Sequence, residues 1–70
     1  MFRKKYDNVR VYGVYRTAQT LEVRVVEMKF EYITKKQATE KMYDYLFVAP
    51  ERGGLGIGHR SILKIFTVVF

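Results

Sequence analysis

The chain has no cysteine and no tryptophan, and only one proline and one histidine among its 70 residues. Without thiols there can be no disulfide to staple a small fold and no thiolate ligand, and a lone imidazole is a poor start for a zinc centre. Neither a metal nor a cofactor is therefore expected, and a reducing cytoplasm is the compartment that fits. Long apolar runs are also missing. Leu46 to Ala49, and Ile65 to Phe70 with Thr67 inside it, fall far short of the ~20 residues of a membrane-spanning helix. Met1-Phe2-Arg3-Lys4-Lys5 has the charge of an export n-region, but Tyr6, Asp7, Asn8 and Arg10 stand where an apolar stretch would have to follow. The expectation is a protein with no membrane partner. Acidic residues are scarce too: seven Asp and Glu against 13 Lys and Arg leave a formal net charge of +6. That balance favours anionic partners, nucleic acid or an acidic protein surface, without choosing between them.

What the chain does have is enough for one core. Hydrophobic residues make up 49% of it, with six Tyr and five Phe, so a single folded domain spanning 1–70 is expected rather than disorder. A domain this small is marginal on its own, which makes a bound partner or a second copy plausible. No internal repeat, low-complexity tract or family-specific motif stands out.

The pattern along the chain reads ββαβ. Residues 1–7 form a basic N-terminal tail. Residues 8–33 read as a β-hairpin, with Asn8 to Arg16 and Leu21 to Ile33 dense in Val and Tyr and joined through Thr17-Ala18-Gln19-Thr20. That connector lacks the Asn-Gly of a tight turn and predicts a four-residue loop around a type I turn. In the second strand Leu21, Val23 and Val25 share one parity, whereas Val26, Met28, Phe30 and Tyr32 share the other. A β-bulge near Val25 and Val26 would reconcile them, and a strand buried on both faces is the alternative.

Thr34-Lys35-Lys36-Gln37 has the form of a capping box, with Ile33 and Ala38 in the staple positions. A helix over 34–49 follows, its apolar stripe being Ala38, Met42, Tyr45, Leu46 and Ala49, and Pro50 stops it. Residues 50–58 form a glycine-rich loop and 59–70 the C-terminal strand. The fold class is α+β: a three-stranded sheet with one helix packed on one face. A crossover through the helix would lay the last strand parallel to Leu21 to Ile33 if the two were neighbours, whereas against Asn8 to Arg16 it would run antiparallel.

Alternation on the hairpin points Val9, Val11 and Tyr15 one way and Arg10, Tyr12, Val14 and Arg16 the other. If Glu22 and Arg24, and Arg60 and Lys64 of the last strand, join the second set, several cations surround one exposed tyrosine on the side without the helix. Cations neutralise phosphates and a tyrosine stacks on a base, so Arg10, Tyr12, Arg16, Arg24, Arg60 and Lys64 form a candidate nucleic-acid site. The plainer reading is a solvated strand face of the kind many antiparallel sheets carry. The tail Arg3-Lys4-Lys5 could reach a phosphate or simply keep the chain soluble.

The last strand carries apolar residues on both parities, Leu63, Ile65 and Val69 against Ile62, Phe66, Val68 and Phe70. The helix can cover only one set. Ile62, Phe66, Val68 and Phe70 are therefore candidate partner-binding residues, for another protein or a second copy.

Gly53 to Gly58 resembles a phosphate loop in composition only, because a helix precedes it and a strand follows, the reverse of the order phosphate loops use. No catalytic residue is assigned: His59 and Ser61 have no placed third member, and the carboxylates are scattered. The function expected is a non-enzymatic nucleic-acid or ribonucleoprotein-binding module. The rival is a protein-interaction module, an adaptor, assembly factor or small inhibitor such as a virus or mobile element encodes, docking through the C-terminal strand.

Overall fold

A computed structural model of the chain describes residues 4–70. Its elements are β1 (Lys5–Arg16), β2 (Val23–Thr34), α1 (Lys35–Phe47), two short 3-10 turns at Pro50–Arg52 and His59–Ser61, and β3 (Ile62–Val69). The sheet order is β2-β1-β3, with both neighbours antiparallel to β1. This is the expected α+β, ββαβ fold. Since β1 lies between β2 and β3, the last strand is antiparallel to the first rather than adjacent to the second. Strand β1 also begins at Lys5, three residues before the expected Asn8, so Lys5, Tyr6 and Asp7 belong to the sheet and not to a tail. No helix among the described residues is long and apolar enough to cross a membrane.

Alternation builds the core. Val9, Val11 and Tyr15 of β1 are buried beneath α1, as are Ile33 at the end of β2 and Ala38, Met42 and Leu46 on the helix. Between Val11 and Tyr15 stands Gly13, and its lack of a side chain decides how closely the layers approach. A β-carbon there would lie 2.8 Å from Leu46 Cδ1 and 2.9 Å from Met42 Sδ, inside van der Waals contact. The helix therefore rests directly on the backbone of the central strand.

The start of the helix follows the sequence expectation. Gln37 N–H donates to Thr34 Oγ1 at 3.0 Å, and Thr34 N–H donates to Gln37 Oε1 at 3.4 Å, which closes the capping box. The end differs slightly. The last helical residue is Phe47, with Val48 extended as the cap, so Ala49 lies outside the stripe. The glycine-rich segment then folds back: Leu55, Gly56 and Ile57 donate their N–H groups to the carbonyls of Tyr45, Val48 and Leu46 at 2.9, 2.8 and 2.6 Å. These bonds satisfy carbonyls that a helix end leaves open. At Gly54 a β-carbon would lie 2.1 Å from Val48 O, so only glycine fits.

The expected bulge at Val25 and Val26 is absent. Pairing of β1 with β2 keeps one register from Val23 opposite Arg16 to Thr34 opposite Lys5. Both parities of β2 are apolar because the sheet has two faces to fill: Val26, Met28 and Phe30 lie on the helix side, Val23 and Val25 on the other. The change of side comes later, at Tyr32, whose φ of 51° turns its ring outward and lets Ile33 turn in. The bulge that does exist is in β3. Val14 pairs with Lys64 but Tyr15 with Ile62, leaving Leu63 as an extra residue. The hairpin closes by Thr17 N–H to Glu22 O at 2.8 Å, so its four loop residues are Ala18 to Leu21, one later than expected.

Replacing Gly13 by alanine should cost about 1–3 kcal/mol, because the methyl must displace Leu46 and Met42. Urea unfolding monitored by circular dichroism measures it, and a change within a few tenths of a kcal/mol would contradict the close seat. Thr34→Ala, which removes the cap hydroxyl, should lower stability by about 1 kcal/mol in the same assay.

Candidate nucleic-acid interface

Among the described residues, no other element covers the face of the sheet turned away from α1. Cross-strand partners share a face, so the registers give its layout directly. From one end to the other, Asn8 stands between Glu31 and Phe70, Arg10 between Lys29 and Val68, Tyr12 between Glu27 and Phe66, Val14 between Val25 and Lys64, and Arg16 beside Val23.

The aromatic rings on this face are ordered by contact with one another and with cations. Tyr12 and Phe66 stack, with centroids 5.1 Å apart and planes 23° apart. The Arg10 guanidinium lies 4.9 Å from the centre of the Phe70 ring, and Lys64 Nζ lies 5.5 Å from that of Phe66. The result is a row in which rings and positive charges alternate across β1 and β3. Phe66 and Phe70 are 40% and 66% exposed, so part of each ring remains accessible to a ligand. A hollow of about 570 Å³ lies at one end, bordered by Asn8, Arg10, Lys29, Glu31 and Phe70. That is within the range of about 300–1,000 Å³ usual for small-molecule pockets.

The charges are unevenly satisfied. Lys29 Nζ sits 3.9 Å from Glu27, a loose exposed pair. Arg10, Arg16 and Lys64 form no salt bridge among the described residues. Arg10 and Lys64 contact rings rather than carboxylates, which leaves their charge available.

Three of the ten candidate residues lie elsewhere. Arg24 pairs with Tyr15 and so stands on the helix side, where it lines a hollow with Leu55 and Ile57 and binds Glu22 at 3.1 Å. Arg60 is in the 3-10 turn before β3 and not on a strand. Ile62 pairs with Tyr15 because of the Leu63 bulge and packs half-buried against the core. The other seven, Arg10, Tyr12, Arg16, Lys64, Phe66, Val68 and Phe70, share the open face. Lys29 joins them and was overlooked; its register opposite Arg10 was the available signal. The cationic set and the apolar set, read as separate surfaces from the sequence, are one surface.

Further cations lie over rings at the start of β1: Lys4 Nζ is 5.1 Å and Lys35 Nζ 5.5 Å from the Tyr6 ring, and Lys5 Nζ 5.0 Å from Tyr32. Arg3 falls outside the described residues. His59 is tied to the helix, hydrogen-bonded through Nδ1 to the Tyr43 hydroxyl and packed edge-on against Phe47 at 4.5 Å. Among the described residues no three His, Cys, Asp or Glu side chains are grouped to hold a metal ion. The glycine segment spends its amides at 55–57 on the helix end, so those donors are not turned to a phosphate.

The fold and this face define a two-layer α+β domain with a mixed aromatic and cationic sheet surface. Comparison with protein families, curated proteins and solved structures finds no match to this chain.

Proposed function

We propose that the chain is a binding module for single-stranded nucleic acid, with the open face of the sheet as its platform. The observation that carries this reading is the alternation of rings and cations: Arg10 over Phe70, Tyr12 on Phe66, and Lys64 over Phe66. Spaced rings offer flat surfaces for bases, which any sequence can use, and the cations between them meet the phosphates joining those bases. A duplex hides its base faces, so exposed rings gain nothing from it. A three-stranded sheet holds the groups at fixed spacing, which spares the entropy of ordering them on binding.

A second reading draws on the same face. Phe66, Val68 and Phe70 are 40%, 38% and 66% exposed, and Val23 and Val25 on the same face are 57% and 61% exposed, an apolar content suited to a protein partner. Arg10 and Lys64 contact two of those rings, so substitution of one set disturbs the other, and direct titration with an oligonucleotide separates the readings better.

Titration of a fluorescent single-stranded oligonucleotide by anisotropy, at several salt concentrations, tests the proposal. If Arg10, Arg16, Lys29 and Lys64 each meet one phosphate, log K should fall with log salt at a slope of about −2.8. Tyr12→Ala should weaken binding by about 1–3 kcal/mol at constant slope, whereas Lys64→Ala should reduce the slope by about 0.7. Arg24→Ala, on the other side, should change neither by much. A salt-independent affinity, or equal losses from Arg24→Ala and Lys64→Ala, would count against the platform.

A further inference from the structure

We infer that β3 pairs edge to edge with β3 of a second copy, so that two sheets become one six-stranded layer. The sheet has two edges, and they are built differently. Edge strand β2 carries Arg24, Glu27, Lys29 and Glu31 and the left-handed residue Tyr32, the kind of charge and irregularity that keeps edges from pairing. Edge strand β3 carries Lys64 as its only charged residue, and after the bulge at Leu63 its pairing with β1 is regular to Val69.

The hydrogen-bond phase of β3 can be read from its end. Phe70 N–H donates to Asn8 O at 3.0 Å, which makes Asn8 and Phe70 a hydrogen-bonded pair. In an antiparallel ladder such pairs alternate, so Lys64, Phe66 and Val68 bond to β1 while Ile65, Thr67 and Val69 turn their N–H and C=O groups outward. These outward groups are matched by an identical strand running the other way about a two-fold axis at Thr67. In that register Ile65 faces Val69 of the second copy, Phe66 faces its Val68, and Lys64 faces its Phe70. The apolar cross-strand pairs are favourable, and the two lysines stay apart.

Exposed apolar side chains point the same way. Leu63, Phe66, Val68 and Phe70, four of the large exposed apolar residues, lie on or just beyond this one edge strand. A two-fold axis normal to the sheet also puts both open faces on the same side. Pairing itself needs no nucleic acid.

Sedimentation of the intact protein over a wide concentration range, with amide hydrogen exchange on the same samples, tests this. Mass should rise from 8.3 kDa to twice that value as concentration increases, and the N–H groups of Ile65, Thr67 and Val69 should become protected in step. Thr67→Pro removes an outward donor without taking one from the β1 ladder, so it should weaken the dimer at least about tenfold. Thr67→Val keeps that N–H and loses only the 2.9 Å contact with the Thr39 hydroxyl, so it should still pair. A mass of 8.3 kDa at every concentration, or a dimer whose three amides exchange freely, would overturn the inference. If Thr67→Pro fails to fold by circular dichroism, exchange in the unaltered protein decides.

Discussion

The helix lies as close to this sheet as it does because residue 13 has no side chain. Met42 and Leu46 reach within 3 Å of where a β-carbon would stand, so the two layers touch at the centre of β1, and the buried residues gather around that contact. Everything else is arranged by it. The capping box fixes where the helix starts, the amides of Leu55 to Ile57 fix where it ends, and both hold Met42 and Leu46 over the glycine. One helix of 13 residues covers one side of a sheet whose central strand has 12, and among the described residues nothing covers the opposite side.

An uncovered sheet face normally carries polar residues. Here it carries Tyr12, Phe66, Val68 and Phe70 together with Arg10, Arg16, Lys29 and Lys64. Leaving such rings in water forgoes the gain from burying them, on the order of 1.5–3 kcal/mol for a fully buried Phe. Ring stacking and cation contact recover part of that gain within the monomer, and a ligand that slides over the rings recovers more. The same row of residues thus serves stability in isolation and recognition in complex, which is why the charged and apolar candidates occupy one surface. Edge pairing through β3 would extend that surface across two copies.

Much of this was legible in the sequence, and the failures that moved strand residues to the wrong face share one cause. Thr34 and Gln37 marked the helix start because a capping box is local chemistry, and Val9, Val11 and Tyr15 marked the core side because β1 alternates cleanly. Two of the three misplaced residues depended on partners distant in the chain, and the third, Arg60, lies in a local 3-10 turn. Arg24 was assigned to the open face with Arg10 and Arg16, but its register with Tyr15 puts it on the other side of the sheet, exposed beside Leu55 and Ile57. Ile62 shared a parity with Phe66, yet the extra residue Leu63 turned it inward. A bulge was inferred in β2, where both parities are apolar, because the sequence does not say that the second face also holds apolar side chains. Alternation within a strand tells which residues share a side; only pairing tells which side it is.

The account stands or falls on where a ligand touches the sheet. Two-dimensional amide spectra recorded while a single-stranded oligonucleotide is added report this residue by residue. Shifts concentrated at Arg10 to Arg16, Lys29 and Lys64 to Phe70, with α1 and the segment from Pro50 to Ser61 little changed, are what an open platform predicts. Shifts confined to the helix and that segment, or none at all at saturating oligonucleotide, would contradict it.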